Sequence, residues 1–474
     1  MQIKLRNKVE LFLFILYNYN GDNMKIIICG VGKLGQHLAK TLAKEEYNVT
    51  VIDNDQVELQ DVVNNTDVNY VHGSALDSDI LIEAGAPDAD VLISVMTQDE
   101  QNIMCSLLAK KLGVKNTIAR IRTPEYTKSI DIVKEELGLS MIINPEALTA
   151  DHIATTLSIP SALEATRFLK GKIEMISIKV KEDNKIVNHT MTQLSKKIPG
   201  NILICAIERD NETIIPRGNT KIQAGDKISI TGTPASINKF LKYTGLITEK
   251  TKKVLICGGS RIAEHLAKIV DAMDMDVTII DIDSKKCEDL SEKLPHALII
   301  NADASDQDVL FEEGIQHCDA LISLTSIDEQ NIVLSMFASQ YDVPKIITKV
   351  NHIELDGVVE KSHIDSVVTP HKIANNQIAK YIRAMQAGSN SSCEAIYRFE
   401  NDNFEMLEFK IKNDFKQIDT PIKNIKFKEG ILIAAIERKK HIIIPTGADE
   451  IKDGDIIVVI DSTGNIVDIN DILE

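Results

Sequence analysis

Residues Ile26–Asp53 read IIICGVGKLGQHLAKTLAKEEYNVTVID. Ile26 to Cys29 is a short unbroken apolar run, the pattern of a strand buried on both faces. Gly30, Gly32 and Gly35 follow at once in the spacing GxGxxG, and Leu34, Leu38, Ala39 and Leu42 then recur at helical intervals. A second apolar run ends on Asp53, 18 residues past Gly35. This is a strand, a glycine loop, a helix and a strand, the context in which GxGxxG means a dinucleotide-binding turn. Gly30 permits the tight turn, Gly32 lets the backbone approach a pyrophosphate, and Gly35 lets the helix pack against the strand. Val31, Lys33 and Leu34 complete a loop whose helix amides face the phosphates. Asp53 accepts the adenosine ribose hydroxyls and repels a 2′-phosphate, favouring NAD(H) over NADP(H).

The chain then repeats itself. Residues 254–281, VLICGGSRIAEHLAKIVDAMDMDVTIID, match 26–53 at 11 of 28 positions, and ILICAIER at 202–209 matches ILIAAIER at 431–438 at seven of eight. A period near 229 residues is too long for a solenoid, so the repeat is a duplicated two-part unit. In its first part, strands are expected at 25–29, 48–52, 68–71, 90–95, 117–121 and 140–143. Helices are expected near 33–45, 77–85, 99–112 and 126–137. Strands alternating with helices imply a parallel, doubly wound α/β sheet. A helix at 146–158 leads to a small α+β module with strands at 173–180, 202–208, 213–215 and 226–231. The expected blocks are an extension at 1–23, a Rossmann-like domain at 24–145, and a helix with its module at 146–250. A second Rossmann-like domain at 251–372 and a second helix and module at 373–474 complete the chain.

The second loop departs from the first. Gly258 and Gly259 are followed by Ser260, Arg261, Ile262 and Ala263, so Ser260 replaces the middle glycine and Asp281 retains the ribose acceptor. A dinucleotide should fit less well there. Either a mononucleotide approaches differently or the site is vestigial. Gly73 with Ser74, Asp303, Thr97 and Ser326 fall at the carboxyl edges of the sheets, where ligands bind. Asp77, Asp99, Asp306 and Asp328 are expected to cap helices. Arg120, whose equivalent is Lys349, reaches either a phosphate or a surface ion pair. His37 and His265 read as packed side chains, and Cys29 and Cys257 as small core residues.

Composition closes off other classes. Against 53 Lys plus Arg stand 70 Asp plus Glu, a net charge of −17 that phosphate backbones and anionic lipids would repel. Seven scattered cysteines without a CxxC spacing argue for free thiols rather than disulfides or a thiolate zinc site. The eleven histidines form no metal-ligand spacing, so neither a metal site nor a catalytic residue is expected. The apolar run Leu11–Tyr17 is far short of the ~20 residues that span a bilayer. Residues 1–23 read as an upstream extension ahead of Met24, with a short anchoring tail as the alternative.

The tandem order, a Rossmann-like domain followed by a module carrying ILICAIER and IIPRGNTKIQAGDKI, resembles RCK domains (regulators of potassium conductance). Two such units in one chain are similar to the TrkA-type regulatory subunit of bacterial Trk potassium-uptake systems. The resemblance runs from Met24 to the C-terminus. It implies a cytoplasmic, non-enzymatic protein, peripheral to a membrane-embedded Trk transporter subunit and assembled as a homo-oligomeric ring. It implies NAD(H) at the first site, through Gly30 to Gly35, Asp53, Met96, Thr97 and Arg120, and leaves ATP or ADP as candidates for the second. The competing class is an NAD-dependent oxidoreductase, which needs a substrate domain carrying an acid or base. Neither module, 172–243 or 400–474, carries a histidine–carboxylate pairing that both copies share. A DNA-binding redox sensor of the Rossmann type lacks a basic helix-turn-helix segment here.

Overall fold

The computed structural model describes residues 24–474 except 124–125, 127–129, 131–133, 135, 160–161, 199, 210–211, 247–249, 352–363, 365, 391–392, 399–403, 463–465 and 467. The extension at 1–23 and most of the helix expected at 126–137 lie outside the described residues. The chain forms two compact units that divide between Pro145 and Glu146.

In the first unit the apolar runs become β1 (Lys25–Cys29), β2 (Asn48–Asp53), β3 (Asn69–His72), β4 (Val91–Ser94), β5 (Asn116–Arg120) and β6 (Met141–Ile143). They pair in parallel in the order β3-β2-β1-β4-β5-β6. That order reverses between β1 and β4 and so opens a crevice at their carboxyl ends. Ile26, Ile27, Ile28 and Cys29 are all buried, as a strand covered on both faces requires. The helix Lys33–Lys44 buries Leu34, Leu38, Ala39 and Leu42 along one stripe. A helix at Gln56–Asn65 was not expected. Only Leu59 and Val62 of it are buried, so its apolar stripe is faint, and its start depends on Asp55 accepting from the Val57 and Glu58 amides.

The helix Pro145–Leu157 belongs to the second unit from Glu146 onward, and its Ala150, Ile153, Ala154 and Leu157 follow the i, i+3, i+4, i+7 spacing. An antiparallel sheet follows: β7 (Glu164–Phe168), β8 (Ile173–Lys179), β9 (Ile202–Arg209), β10 (Glu212–Ile214) and β11 (Lys227–Gly232), in the order β10-β9-β11-β8-β7. Strand β7 lies ahead of the module's expected start, and a short run beside Pro160 carries no signal of its own. The second parallel sheet comprises β12 (Lys253–Cys257), β13 (Asp276–Asp281), β14 (Leu298–Asn301), β15 (Ala320–Ser323), β16 (Lys345–Lys349) and β17 (Ser366–Val368), in the order β14-β13-β12-β15-β16-β17. After the helix Pro370–Asn390, a second antiparallel sheet orders β18 (Cys393–Arg398), β19 (Glu405–Lys410), β20 (Ile431–Arg438), β21 (His441–Ile443) and β22 (Ile456–Asp461) as β18-β19-β22-β20-β21.

Two internal packings organise this unit. Ala150, Ile153, Ala154 and Leu157 share a core with Val254, Ile256, Leu266 and Ile347 of the second parallel-sheet domain. Thr251 Oγ1 donates to the Leu157 carbonyl at 3.3 Å, and the buried Lys345 ammonium donates to the Ala162 carbonyl, fastening the segment after the helix. The two small sheets also share a core, formed by Phe168, Met175 and Cys205 with Phe404, Met406 and Ile460. The Leu169 amide donates to Glu408 Oε1 at 3.1 Å, and Lys172 pairs with Glu437 beside that core. Among the described residues no helix is long and apolar enough to cross a membrane.

Candidate functional site

The first crevice starts from what each glycine must avoid. Gly30 has φ +97°, and a Cβ there would lie 2.9 Å from the Met96 nitrogen. A Cβ on Gly35 would lie 1.9 Å from the Gly30 carbonyl oxygen, so the helix packs this closely only without a side chain. Gly32 is different. Its φ of −61° and ψ of −175° suit any residue, and a Cβ there would meet nothing within 4 Å. The protein itself thus demands glycine at 30 and 35 and leaves open space above 32, where an incoming group can approach the backbone. Val31, Leu34 and Gly35 are buried behind the loop, whereas Lys33 is exposed at its rim.

Asp53, at the end of β2, holds this loop in place. Its Oδ2 accepts the Val31 amide at 2.7 Å and its Oδ1 accepts the Asp55 amide at 2.9 Å. The Gly73 amide donates to the Asp53 carbonyl at 2.9 Å, which sets the start of the next loop, and the exposed Ser74 accepts from the Leu76 amide at 3.3 Å. Asp53 is partly exposed, and each of its oxygens keeps lone-pair capacity for a further donor.

Met96 and Thr97 form the opposite wall, after β4. The buried Asn102 shapes it: Oδ1 accepts the Met96 amide at 2.8 Å and the Ser94 hydroxyl at 2.9 Å. Its Nδ2 donates to the Met96 carbonyl at 3.0 Å and the Arg120 carbonyl at 2.9 Å. The Arg120 guanidinium donates to the Met96 carbonyl at 2.6 Å, and that of Arg122 donates to the Thr97 carbonyl. Both cations therefore brace the wall, Arg120 from the end of β5 and Arg122 from the segment just after it. Asp77 and Asp306 cap their helices through the Asp79 and Asp308 amides, as expected. Asp99 and Asp328 do not. The N-cap positions are Gln98 and Ile327, and both carboxylates reach across the crevice floor instead. Asp99 accepts the Arg122 amide at 2.9 Å and the Thr123 amide and hydroxyl at 2.8 and 2.7 Å; Asp328 accepts from Asn351. Burial raises the Asp99 carboxyl, but those hydrogen bonds and the Arg122 charge outweigh it and hold the group below its ordinary value.

The second crevice repeats the frame with altered contents. Gly258 has φ +107°, and a Cβ there would lie 2.7 Å from the Leu324 and Thr325 backbone. Asp281 Oδ2 accepts the Gly259 amide at 2.6 Å and its Oδ1 accepts that of Asp283 at 2.8 Å. Asn331 and Lys349 repeat the wall: the Thr325 amide donates to Asn331 Oδ1 at 2.8 Å, and Lys349 donates to the Thr325 carbonyl at 2.6 Å. Ser260 caps the following helix, its Oγ accepting the Ala263 amide at 3.4 Å, so one free amide is already engaged. Arg261 is exposed at the rim, as Lys33 is, and Ile262 is buried. Asp303 and Ser326 are exposed at the strand ends.

The TrkA-N domain model matches residues 26–145 and 254–370, and the TrkA-C domain model matches 175–245 and 406–473. The chain belongs to the TrkA family. The Trk system potassium uptake protein TrkA homolog 2 of Methanosarcina mazei is 30% identical over 444 residues, spanning 92% of this chain and 97% of that one. The Trk system potassium uptake protein TrkA of Haemophilus influenzae is 29% identical over 92% of this chain and 95% of its own. Among solved structures, the GsuK RCK domain superposes with a TM-score of 0.62 at 17% identity, covering 94% of this chain and 93% of that chain. A GsuK channel bound to NAD gives 0.62 at 16%, covering 94% and 78%. These superpositions establish the duplicated RCK fold in this TrkA-family chain.

Two residues at the TrkA-family crevice had escaped the sequence reading. Asn102 was visible only as the last letter of the repeated DEQN at 99–102 and 328–331. Arg122 had no such signal, since Asn351 stands in its place. Cys29 and Cys257 lie buried beneath the two loops. The hydrogen bond with Cys105 and burial push the Cys29 thiol up, and burial pushes that of Cys257 up to about 12, as befits inert core residues. His265 is half-buried, and its pKa is lowered chiefly by that burial. Among the described residues no group of three or more His, Cys, Asp or Glu could hold a metal ion.

Proposed function

We propose that the chain is a nucleotide-sensing regulatory subunit of a Trk-type potassium transporter. It binds NAD(H) through Gly30–Gly35, Gly73, Ser74, Asp53, Met96 and Thr97, with Arg120 bracing the wall. One observation carries the reading: among the described residues nothing requires glycine at 32, while Gly30 and Gly35 are required by packing. In the second crevice Gly258–Ile262 and Asp281 form the corresponding site, and an adenine mononucleotide such as ADP or ATP is the occupant that suits Ser260. The names of the TrkA relatives support potassium uptake as the process. The membrane-embedded partner, a homo-oligomeric ring and a position at the inner face of the membrane belong to the same proposal.

A regulator suits the molecule better than an oxidoreductase. The His296–Asp271 pair, at 3.2 Å, sits at the far end of the helix from the second glycine loop and has no counterpart in the first copy, where Asp67 and Ala43 stand at the equivalent positions. A regulator responds only if its states bind the ligand unequally, so nucleotide must shift a conformational equilibrium. The expected path runs through the helix Pro145–Leu157, which continues from β6 and shares a core with the second parallel-sheet domain. Hydrogen exchange with and without NADH should change in 146–157 and 371–386 as well as at the loops. Potassium flux through the reconstituted complex should respond to nucleotide. Constant flux at saturating nucleotide, with exchange altered only at the loops, would leave the fold and overturn the sensing role. Turnover of NADH with a small carbonyl substrate would favour the oxidoreductase.

A further inference from the structure

We propose that Glu58 and Lys286 give the two crevices opposite selectivity at the adenosine ribose: the second takes an adenosine nucleotide bearing a 2′-phosphate, which the first excludes. The inference rests on the nucleotide reading of the crevices and refines it: the second crevice keeps an adenine mononucleotide as its occupant, but one phosphorylated at the ribose 2′ position in place of ADP or ATP.

The two turns that leave the ribose-reading aspartates differ in charge. The first reads Asp53-Asn54-Asp55-Gln56-Val57-Glu58, three carboxylates and no cation; the second reads Asp281-Ile282-Asp283-Ser284-Lys285-Lys286, two carboxylates and two cations. One carboxylate in each is engaged as a cap: Asp55 accepts the Val57 and Glu58 amides, and Asp283 accepts the Lys285 and Lys286 amides. What remains beside the ribose position is Asp53 with Glu58 in one crevice and Asp281 with Lys286 in the other. The Lys286 ammonium lies 3.8 Å from Asp281 Oδ2 on a side chain 55% exposed, so it stands at the ribose end of the crevice and is free to swing. Glu58, at the equivalent position, meets the weak 3.5 Å contact from Gln36 Nε2 among the described residues.

Electrostatics then separates the ligands. In the first crevice a 2′-phosphate would bring two negative charges toward two carboxylates, with no cation on the turn to offset them. In the second, Asp281 is 9% exposed, and both of its oxygens already accept backbone amides. Its charge is neutralised by the same Lys286 that can donate to a phosphate in a charge-assisted hydrogen bond. Lys285 adds positive charge on an exposed side chain, while Arg261 at the rim is matched by Lys33 in the first crevice and does not separate the two. The ribose acceptor is thus retained in both copies while the sign of its surroundings reverses.

The test uses the full chain and mononucleotide probes, so that Ser260 affects both probes alike. Adenosine 2′,5′-bisphosphate and 5′-AMP are titrated while hydrogen exchange is read separately at 30–35 with 53–60 and at 258–263 with 281–288. The bisphosphate should protect the second loop at concentrations about two- to fivefold below those at which AMP does, the scale of one exposed, screened charge pair. At the first loop the order should reverse. Lys286→Glu should erase the second-loop preference and leave the first loop unchanged, and Glu58→Lys should create the preference at the first. Protection of the second loop by AMP as readily as by the bisphosphate, or a preference untouched by Lys286→Glu, overturns this inference alone. If NADH as well fails to protect the first loop, the nucleotide reading falls with it.

Discussion

Gly32→Ser separates a residue kept for the protein from one kept for a ligand. The substituted Cβ enters open space, since nothing lies within 4 Å of it, and the backbone angles already suit serine. Gly32 is the N-cap of the helix Lys33–Lys44 and supplies no side-chain hydrogen bond, whereas Ser260 in the second copy caps its helix through Oγ. Serine exceeds glycine at an N-cap by only a few tenths of a kcal/mol. Removing a glycine from the unfolded ensemble adds about 0.4–1 kcal/mol where the native angles are compatible. The first domain should therefore be about 0.5–1 kcal/mol more stable in the variant. Binding should move the other way. A Cβ and a hydroxyl on the approach face hold a pyrophosphate away from the loop amides. Losing one charge-assisted hydrogen bond costs about 1.5–3 kcal/mol, or roughly ten- to a hundredfold in NADH affinity. Calorimetric titration with NADH and thermal unfolding of the same preparation read both numbers. NADH affinity within twofold of the parent, or a fall in stability, would refute the reasoning. The first result would leave Gly32 without a ligand, and the second would make it a structural glycine like Gly35.

Three further outcomes follow from the same geometry. Asp53→Ala removes the acceptor of the Val31 and Asp55 amides along with the ribose acceptor, so titration should show NADH affinity falling by at least about tenfold and discrimination against NADPH relaxing; unchanged affinity in a folded variant would count against the site. Asn102→Ala strips four hydrogen bonds from the wall and should destabilise the first domain in denaturant titration by about 1–3 kcal/mol for each buried partner left unsatisfied. Asp99 titrates below its ordinary value in the folded chain, so its contribution to stability is full above the unfolded carboxylate range and is lost as pH falls through the lowered folded value. Thermal unfolding across acidic pH should show that loss in the parent and a flatter profile in Asp99→Asn.

The alternation of strand and helix, the glycine loop with its terminal aspartate, and the duplication were all readable in the sequence, because each is a pattern over neighbouring residues. An apolar run followed by GxGxxG needs no tertiary partner to be recognised, and a repeat compares the chain only with itself. Asp99 shows where this stops. Its place ahead of an apolar run has the local look of a cap, yet β4 and β5 lie side by side and bring the Arg122 and Thr123 amides, more than twenty residues away, within its reach. Asn102 and Arg120 became parts of one wall through the same pairing. The meaning of Gly32 also came from the fold, since only the surrounding atoms distinguish a glycine that packing demands from one above which space stays open. Lys286 is one of many lysines until the helix beginning at Ser284 turns it toward Asp281. Local chemistry selects the elements; which distant groups meet, and what charge each crevice presents, depends on the strand order that places them together.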